Sequence, residues 1–565
     1  MLFPSFIYAL LIVCLIAFRR NATNRHVAIL VCMSAALYGF DLGSHYFTLN
    51  GHEVLVSETV VEMRRRGDWL VPMLNNMPRL NKPPLQYWLV GLVSGLTGRV
   101  DELSSRIPSA FFGAGLVIMT YLFGRRLFEE RVAFLAGAVQ AGNYFMIRFS
   151  RQATADIGNA FFVFASFVCA WFILEGKNNK RLWQAVLWIC LALDILVKGP
   201  FGVLTTLVTI TIYALYFRRS KDLKDIYIAW GIILFFALSA PWFLYLGFKL
   251  EGTWHTWYEQ TFLRVEGGIL TKSPWYLYFP ALAAFLGQWV LILPWALARV
   301  FSKSESERRK ILFFLLLWFA VEFLTIFPSS TKRDRYLIWG LTPLAYLISI
   351  ELIELGNKLK NDRKIANIVG ISGVIIGVVL GITGLYLNMR FEWLPGNMRY
   401  LMLLISLVWV IFSGLLYKGQ AKEAIVVFFA AEVFFFQVGT MLLSPRFAAD
   451  LPIATFAEEI SEKVPPDNRI FAINAAKPAI VFYSGRYLYP VKSVEEALKY
   501  DKNKLPLYIV SNDYAKFSTQ HSQFKLLAFS SGPDFEEEGK STKKRFGLFM
   551  MVDTGQISKE NLTGQ

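Results

Sequence analysis

The chain has 565 residues, of which 55% are apolar, 16% aromatic and only 18% charged. That is too apolar and too sparsely charged for an ordinary soluble domain, and apolar runs of about 20 residues recur along it, so the composition describes a polytopic α-helical membrane protein. The net charge of +16 raises nucleic acid as a partner, but Lys and Arg gather in short connections and no basic recognition module is present, which excludes that class.

Apolar runs predict about fourteen membrane spans: 2–18, 27–48, 107–124, 132–148, 156–174, 182–197, 200–217, 226–248, 276–298, 311–328, 336–355, 366–388, 400–417 and 423–443. The first, Leu2–Phe18, lacks a charged n-region and a small-residue cleavage site, and reads as a retained helix that places the N-terminus outside. Cys14, Cys32, Cys169 and Cys190 all lie within apolar runs, without metal-ligand spacing, and read as small core residues.

Gly51–Trp88 is the first long polar interruption. It carries His52, Glu53, Glu58 and Glu62, then Arg64-Arg65-Arg66 and Gly67-Asp68-Trp69, and closes on Lys82-Pro83-Pro84. Glu53–Arg66 has helical spacing, and Leu85–Leu96 is apolar but too short to cross comfortably. Both read as helices at the outer membrane surface. Glu58 and Glu62 stand four apart on one helical face, where Arg65 and Arg66 are available as salt-bridge partners.

Alternate later connections are basic: Arg125-Arg126, Arg218-Arg219, Arg308-Arg309-Lys310, and Lys358 with Lys360. The positive-inside bias puts these in the cytoplasm. The opening loop, the turns at Asp156 and Lys198, the 249–275 loop, the turn at 329–335 and everything after about residue 444 then face outward. The unusual residues gather on that outward set. Residues 1–444 form a membrane domain with an outward loop at 49–106, and 445–565 a polar outward α/β domain. In the latter, 469–473, 507–510 and 546–552 predict strands, and 455–463 and 494–500 predict helices. Residues 540–544 and 557–565 read as a loose tail.

Several outward residues have chemistry in reach. Lys82 is stiffened by the two prolines behind it. Asp156 and Lys198 are charges at helix ends. Arg264, beside Gly267-Gly268, lies in a loop able to fold over a ligand. Lys332, Arg333, Arg335 and Tyr336 form a cationic turn on the face where the positive-inside bias disfavours cations, which favours phosphate or pyrophosphate binding. Each has a plain structural alternative: Lys82 snorkelling, Glu53 complementing a helix dipole, His52 hydrogen bonding rather than ligating metal.

GDWLVP and KPPLQYW, then RQATAD, LVKGPFG, PWF, SPWYLYFP and SSTKRDRYLIWGLTP, occur in an order that resembles the polyprenyl-phosphate-sugar glycosyltransferases of the type C membrane fold. Within them the chain is most similar to the aminoarabinose transferase branch, relatives of the protein O-mannosyltransferases. The resemblance covers roughly residues 40–345. It implies an inverting hexosyl or pentosyl transferase of the bacterial cytoplasmic (inner) membrane, acting at its outer face. The implied partners are a polyprenyl-phosphate-linked sugar donor and a lipid A, other glycolipid, glycan or protein acceptor. It implies an acid in the first loop as base, a phosphate contact at Lys82, and a supporting Asp156–Lys198 pair. The family loop reads Asp-Glu with Arg-Tyr two residues on; here those positions are His52, Glu53, Leu55 and Val56. Glu53 therefore matches and His52 departs, so catalysis is expected to rest on Glu53, with His52 and Asp156 beside it. Donor phosphate is expected on Lys82, Lys198, Arg264, Lys332, Arg333, Arg335 and Tyr336. No metal ligand set is expected, and the need for a divalent cation is left open. The rival readings are a protein O-glycosyltransferase of the same superfamily, a non-catalytic lipid-handling or transport protein, and a degenerate transferase kept as a scaffold.

Overall fold

The computed structural model describes residues 22–44, 48–49, 51–176, 178–263, 273–301, 306–329, 332–390, 398–449, 452–501, 505–530 and 546–551. The expected first helix at 2–18, Arg264 with Gly267 and Gly268, and the expected tail at 540–544 and 557–565 lie outside these residues. Among the described residues, seven stretches are long and apolar enough to cross a membrane: Glu102–Leu127, Asp156–Leu174, Ser220–Lys249, Asp334–Asn361, Arg363–Leu387, Met398–Tyr417 and Ala421–Leu442. Shorter or interrupted helices occupy several other expected spans. The 276–298 run, for instance, is Tyr278–Leu286, a 3-10 turn at Gly287–Leu291, and Leu293–Val300. Gly287 has φ +55, a conformation that breaks a helix at little cost only for glycine.

The described chain divides into two compact units. One comprises residues 1–42, 80–93 and 106–443; the other comprises 43–79, 94–105 and 444–565.

The first unit is a helical bundle. Asp156–Leu174 packs along Lys180–Val197, and Phe201–Tyr216 packs on both and on Ser306–Ile326. Aromatic rings fill the space between them. Phe167 and Trp318 are 4.4 Å apart, Trp171 and Phe314 5.1 Å, and all but half-covered Trp171 are buried. Such rings bury large areas and prefer tilted contacts, which fixes helix register. Lys180–Val197 stops at Lys198 because Gly199 takes φ +117 and Pro200 follows. Proline cannot continue a helix, and its predecessor is kept out of the helical region. That stop delivers the Lys198 side chain from a helix end.

The second unit contains a five-stranded mixed sheet. Its strand order is Leu488–Val491, Ile470–Ile473, Leu507–Ser511, Gly547–Met551 and Lys525–Phe529. The first three run parallel; the Gly547–Met551 pairings on either side are antiparallel. Helices Pro452–Lys463, Pro478–Ser484, Val494–Tyr500 and Tyr514–Gln520 cover it. Residues 51–79 of the long polar interruption belong to this unit, where Gly51–Arg66 packs against Pro478–Ser484. Val54 and Leu49 share a core with Phe456, Ile460, Ile470 and Ile480. Protein covers most of the length of this helix, burying Val54, Val56, Val60 and Met63. Leu85–Thr97 is a helix as expected, with Leu92 and Leu96 exposed on its outer side.

Candidate functional site

In the membrane unit neighbouring helix ends bring five expected site residues together. Asp156 opens its helix and is buried, at 4% exposure. Lys198 Nζ lies 2.7 Å from Asp156 Oδ1, and Arg335 Nη1 lies 3.9 Å from Oδ2. Lys82 acts on the same carboxylate from farther away. The Lys198 ammonium also sits over the rings of Tyr336, at 4.9 Å, and Trp339, at 5.2 Å. Ring faces attract a cation and keep its position without removing its charge. Lys82, Lys198 and Arg335 thus converge on one acid, leaving an excess of positive charge suited to an anion.

The 332–336 turn is ordered by neighbours. Arg148 Nη1 donates to Asp334 Oδ2 at 3.1 Å, and the Arg335 amide donates to Asp334 Oδ1 at 2.8 Å. Lys332 is turned inward: its Nζ donates to the Ser329 carbonyl at 2.7 Å and lies over Phe327 and Tyr278. The Lys332 amide donates to Ser273 Oγ at 3.2 Å, and the Arg333 amide to the Tyr278 hydroxyl at 3.4 Å. Tyr336 closes the turn through its amide on the Arg333 carbonyl at 3.1 Å.

The turn before Asp156 is held in the same way. Arg151 Nη1 donates to the carbonyls of Leu37, Tyr38 and Phe40, and Asn143 caps Tyr144–Ser150 with its side-chain oxygen. The Arg148–Asp334 pair and the Arg151 clamp were not predicted. Their only sequence signal was an acid, Asp334, inside a run of cations. Arg264 lies outside the described residues.

In the other unit, His52 is exposed and Glu53 is 2% exposed in the first turn of Gly51–Arg66. That placement suits the helix dipole whatever else the carboxylate does. Further along, Glu58 and Glu62 are both buried. Glu62 accepts the amides of Asn75 and Asn76, the two left-handed residues of the Met73–Pro78 hairpin. Asn75 Nδ2 in turn donates to the Leu488 carbonyl at 3.1 Å. Burial, and then the Glu62 carboxylate, push the Glu58 carboxyl up to about 8, against the opposing pull of Arg65. Glu62 is also raised, by burial first, with the two amides and Arg66 opposing. The guanidinium of Arg65 lies 4.9 Å from the Tyr487 ring centre. Glu62 takes two backbone amides of the hairpin, and Arg65 and Arg66 act on the two buried acids only through their charge. Among the described residues no group of acids, histidines or cysteines could hold a metal ion.

A family model for dolichyl-phosphate-mannose-protein mannosyltransferases matches residues 81–245. That interval contains Lys82, Asp156 and Lys198. The chain is 26% identical over 434 residues to the undecaprenyl phosphate-alpha-4-amino-4-deoxy-L-arabinose arabinosyl transferase 2 of Pseudomonas fluorescens, covering 75% of this chain and 76% of that one. It is 25% identical to the Proteus mirabilis protein of the same name, covering 66% and 69%. Among solved structures, ArnT from Cupriavidus metallidurans bound to undecaprenyl phosphate superposes with a TM-score of 0.73 at 17% identity, over 94% of this chain and 98% of that one. The Archaeoglobus fulgidus oligosaccharyltransferase superposes at 0.50 and 12% identity, over 90% and 71%.

Proposed function

We propose, starting from this chain as a glycosyltransferase of the ArnT-like family with the type C membrane fold, that it moves a sugar from an undecaprenyl-phosphate-type donor to a lipid A, glycolipid or glycan acceptor at the outer face of the membrane. One observation carries this: Lys82, Lys198 and Arg335 converge on the single carboxylate of Asp156. A structural ion pair needs one cation, whereas a departing phosphate monoester needs several.

The acceptor hydroxyl attacks the anomeric carbon while the carbon–oxygen bond to phosphate breaks. The bonding electrons leave on the phosphate, and the hydroxyl proton passes to a carboxylate. A single displacement inverts the anomeric centre and needs only one such base. That base is Glu53, with His52 beside it in the chain. Lys82, Lys198, Arg333 and Arg335 meet the growing phosphate charge, and Tyr336 backs the Lys198 ammonium. Asp156 holds Lys198 and Arg335 in place as a positioner. Lys332 braces the turn through Ser329. A protein hydroxyl as acceptor is the second reading, favoured by the family model over residues 81–245.

The test is transfer by the purified protein in lipid nanodiscs. It would be offered undecaprenyl phosphate-α-4-amino-4-deoxy-L-arabinose and other undecaprenyl-phosphate sugars, with lipid A and, separately, a Ser/Thr peptide, and products would be read by mass spectrometry. Transfer to lipid A with inversion is expected. Silence with every donor overturns the proposal; product on the peptide alone moves it to the second reading.

A further inference from the structure

One turn before Lys198, on the same helix, lies Asp194, with no exposed surface. One turn after Asp156, on the facing helix, lies Asn159, 1% exposed. Asn159 Nδ2 donates to Asp194 Oδ1. The two helices are therefore joined by two rungs, Asp156–Lys198 at the outer end and Asn159–Asp194 a turn deeper. The chain then closes on the inner rung. After the Gly199-Pro200 turn it returns as Phe201–Tyr216, and a β-carbon on Gly202 would collide with Asp194 Oδ2, Val163 and Asn159. The motif KGPFG thus puts one glycine where the turn needs φ +117 and the next where Asp194 leaves no room.

An acid buried among apolar helices is costly, and a hydrophobic residue packs the same space more cheaply. The neighbourhood gives it a specific use. Lysine is long and has four rotatable bonds, so an ion pair at its tip alone leaves the helix end free to twist or slide. A second polar rung on the same pair of helices removes that freedom. We propose that Asp194 and Asn159 are positioning residues: they fix the register of the two helices so that the Lys198 ammonium is held at the donor phosphate. This rests on the proposed role of Lys198 above.

The test is a double-mutant cycle in the full-length protein, read as binding of undecaprenyl phosphate and as transfer kinetics. Displacements of about 1 Å at a charge-stabilising group cost roughly a hundredfold in rate. D194L is expected to weaken undecaprenyl phosphate binding at least tenfold and to lower kcat, with acceptor KM unchanged. D194N, which keeps a partner for Asn159, is expected to recover most of that loss, and G202A to reproduce it. In a K198A background, D194L is expected to add nothing, because its effect passes through Lys198. Additive losses, or D194N as damaging as D194L, overturn the proposal; equal thermal stability of the variants in nanodiscs confirms that folding is not what changed. Wild-type protein that neither binds undecaprenyl phosphate nor transfers a sugar would instead remove the functional reading beneath it.

Discussion

Glu53 and Glu58 stand five residues apart on one helix and have different chemistry. Glu53 occupies the first turn of its helix. Replacing it with Gln removes the proposed base and keeps the shape. E53Q is expected to lower transfer by at least about a hundredfold while undecaprenyl phosphate binding stays within twofold; wild-type transfer by E53Q would exclude Glu53 as base. Glu58 faces inward and has its carboxyl pushed up to about 8. A carboxyl raised in the folded state is protonated there and ionised in the unfolded chain between its ordinary value and about 8. Its contribution is therefore fully present below about 4.5 and is lost as pH rises toward 8. The scale is on the order of a few kcal/mol. E58Q holds the group neutral at every pH, so its melting temperature is expected to match the wild type near pH 5 and exceed it increasingly up to pH 8.5. Parallel melting curves across that range would show that Glu58 does not titrate this way. Lysines 82 and 198 belong to the same scale: K82A or K198A is expected to weaken undecaprenyl phosphate binding about tenfold or more, measured by titration in nanodiscs, because a charge-assisted contact is worth roughly 1.5–3 kcal/mol.

At the scale of elements, the sequence showed where helices begin and end better than what they touch. Val494–Tyr500 was read with its observed bounds, since Ser493 caps it and Glu496 sits in its first turn. The strands at 470–473, 507–511 and 547–551 were legible as β-branched and aromatic runs, whereas Lys525–Phe529 and Leu488–Val491 were not. The latter contains Pro490 and lies at the sheet edge, the place where a strand tolerates a missing amide. The Gly51–Arg66 helix was legible as a helix from its spacing, but the protein that covers it was not, because its partners lie about 400 residues away in the chain. Val54 is completely buried in the core built around Phe456 and Ile480. V54A is expected to destabilise that core by about 2 kcal/mol, seen as earlier proteolysis of the 452–551 region. Unchanged protease sensitivity would mean that the helix does not depend on that packing.

For the whole molecule, the division of labour among charges is the informative feature. Basic residues between spans set an orientation that fusion of a reporter after residue 460 tests directly: activity outside the cytoplasm is expected, and cytoplasmic activity reverses the assignment. Composition and hydropathy determined by themselves that this is a many-span membrane protein, and charge placement singled out Asp156, Lys198 and the 332–336 turn; the order of the motifs added a resemblance to type C glycosyltransferases and, through it, Lys82. Hydropathy and charge could do so because span length is fixed by bilayer thickness, and because charged residues at outer helix ends are rare enough to be noticed one at a time. Only the tertiary structure decided which of those charges meet, that Lys332 turns inward, that Arg148 takes Asp334, and that Asn159 and Asp194 form a second rung. A single Asn or Asp inside an apolar run does not say in sequence which partner it meets. Its meaning comes from the register of two packed helices, which is fixed by contacts distant along the chain.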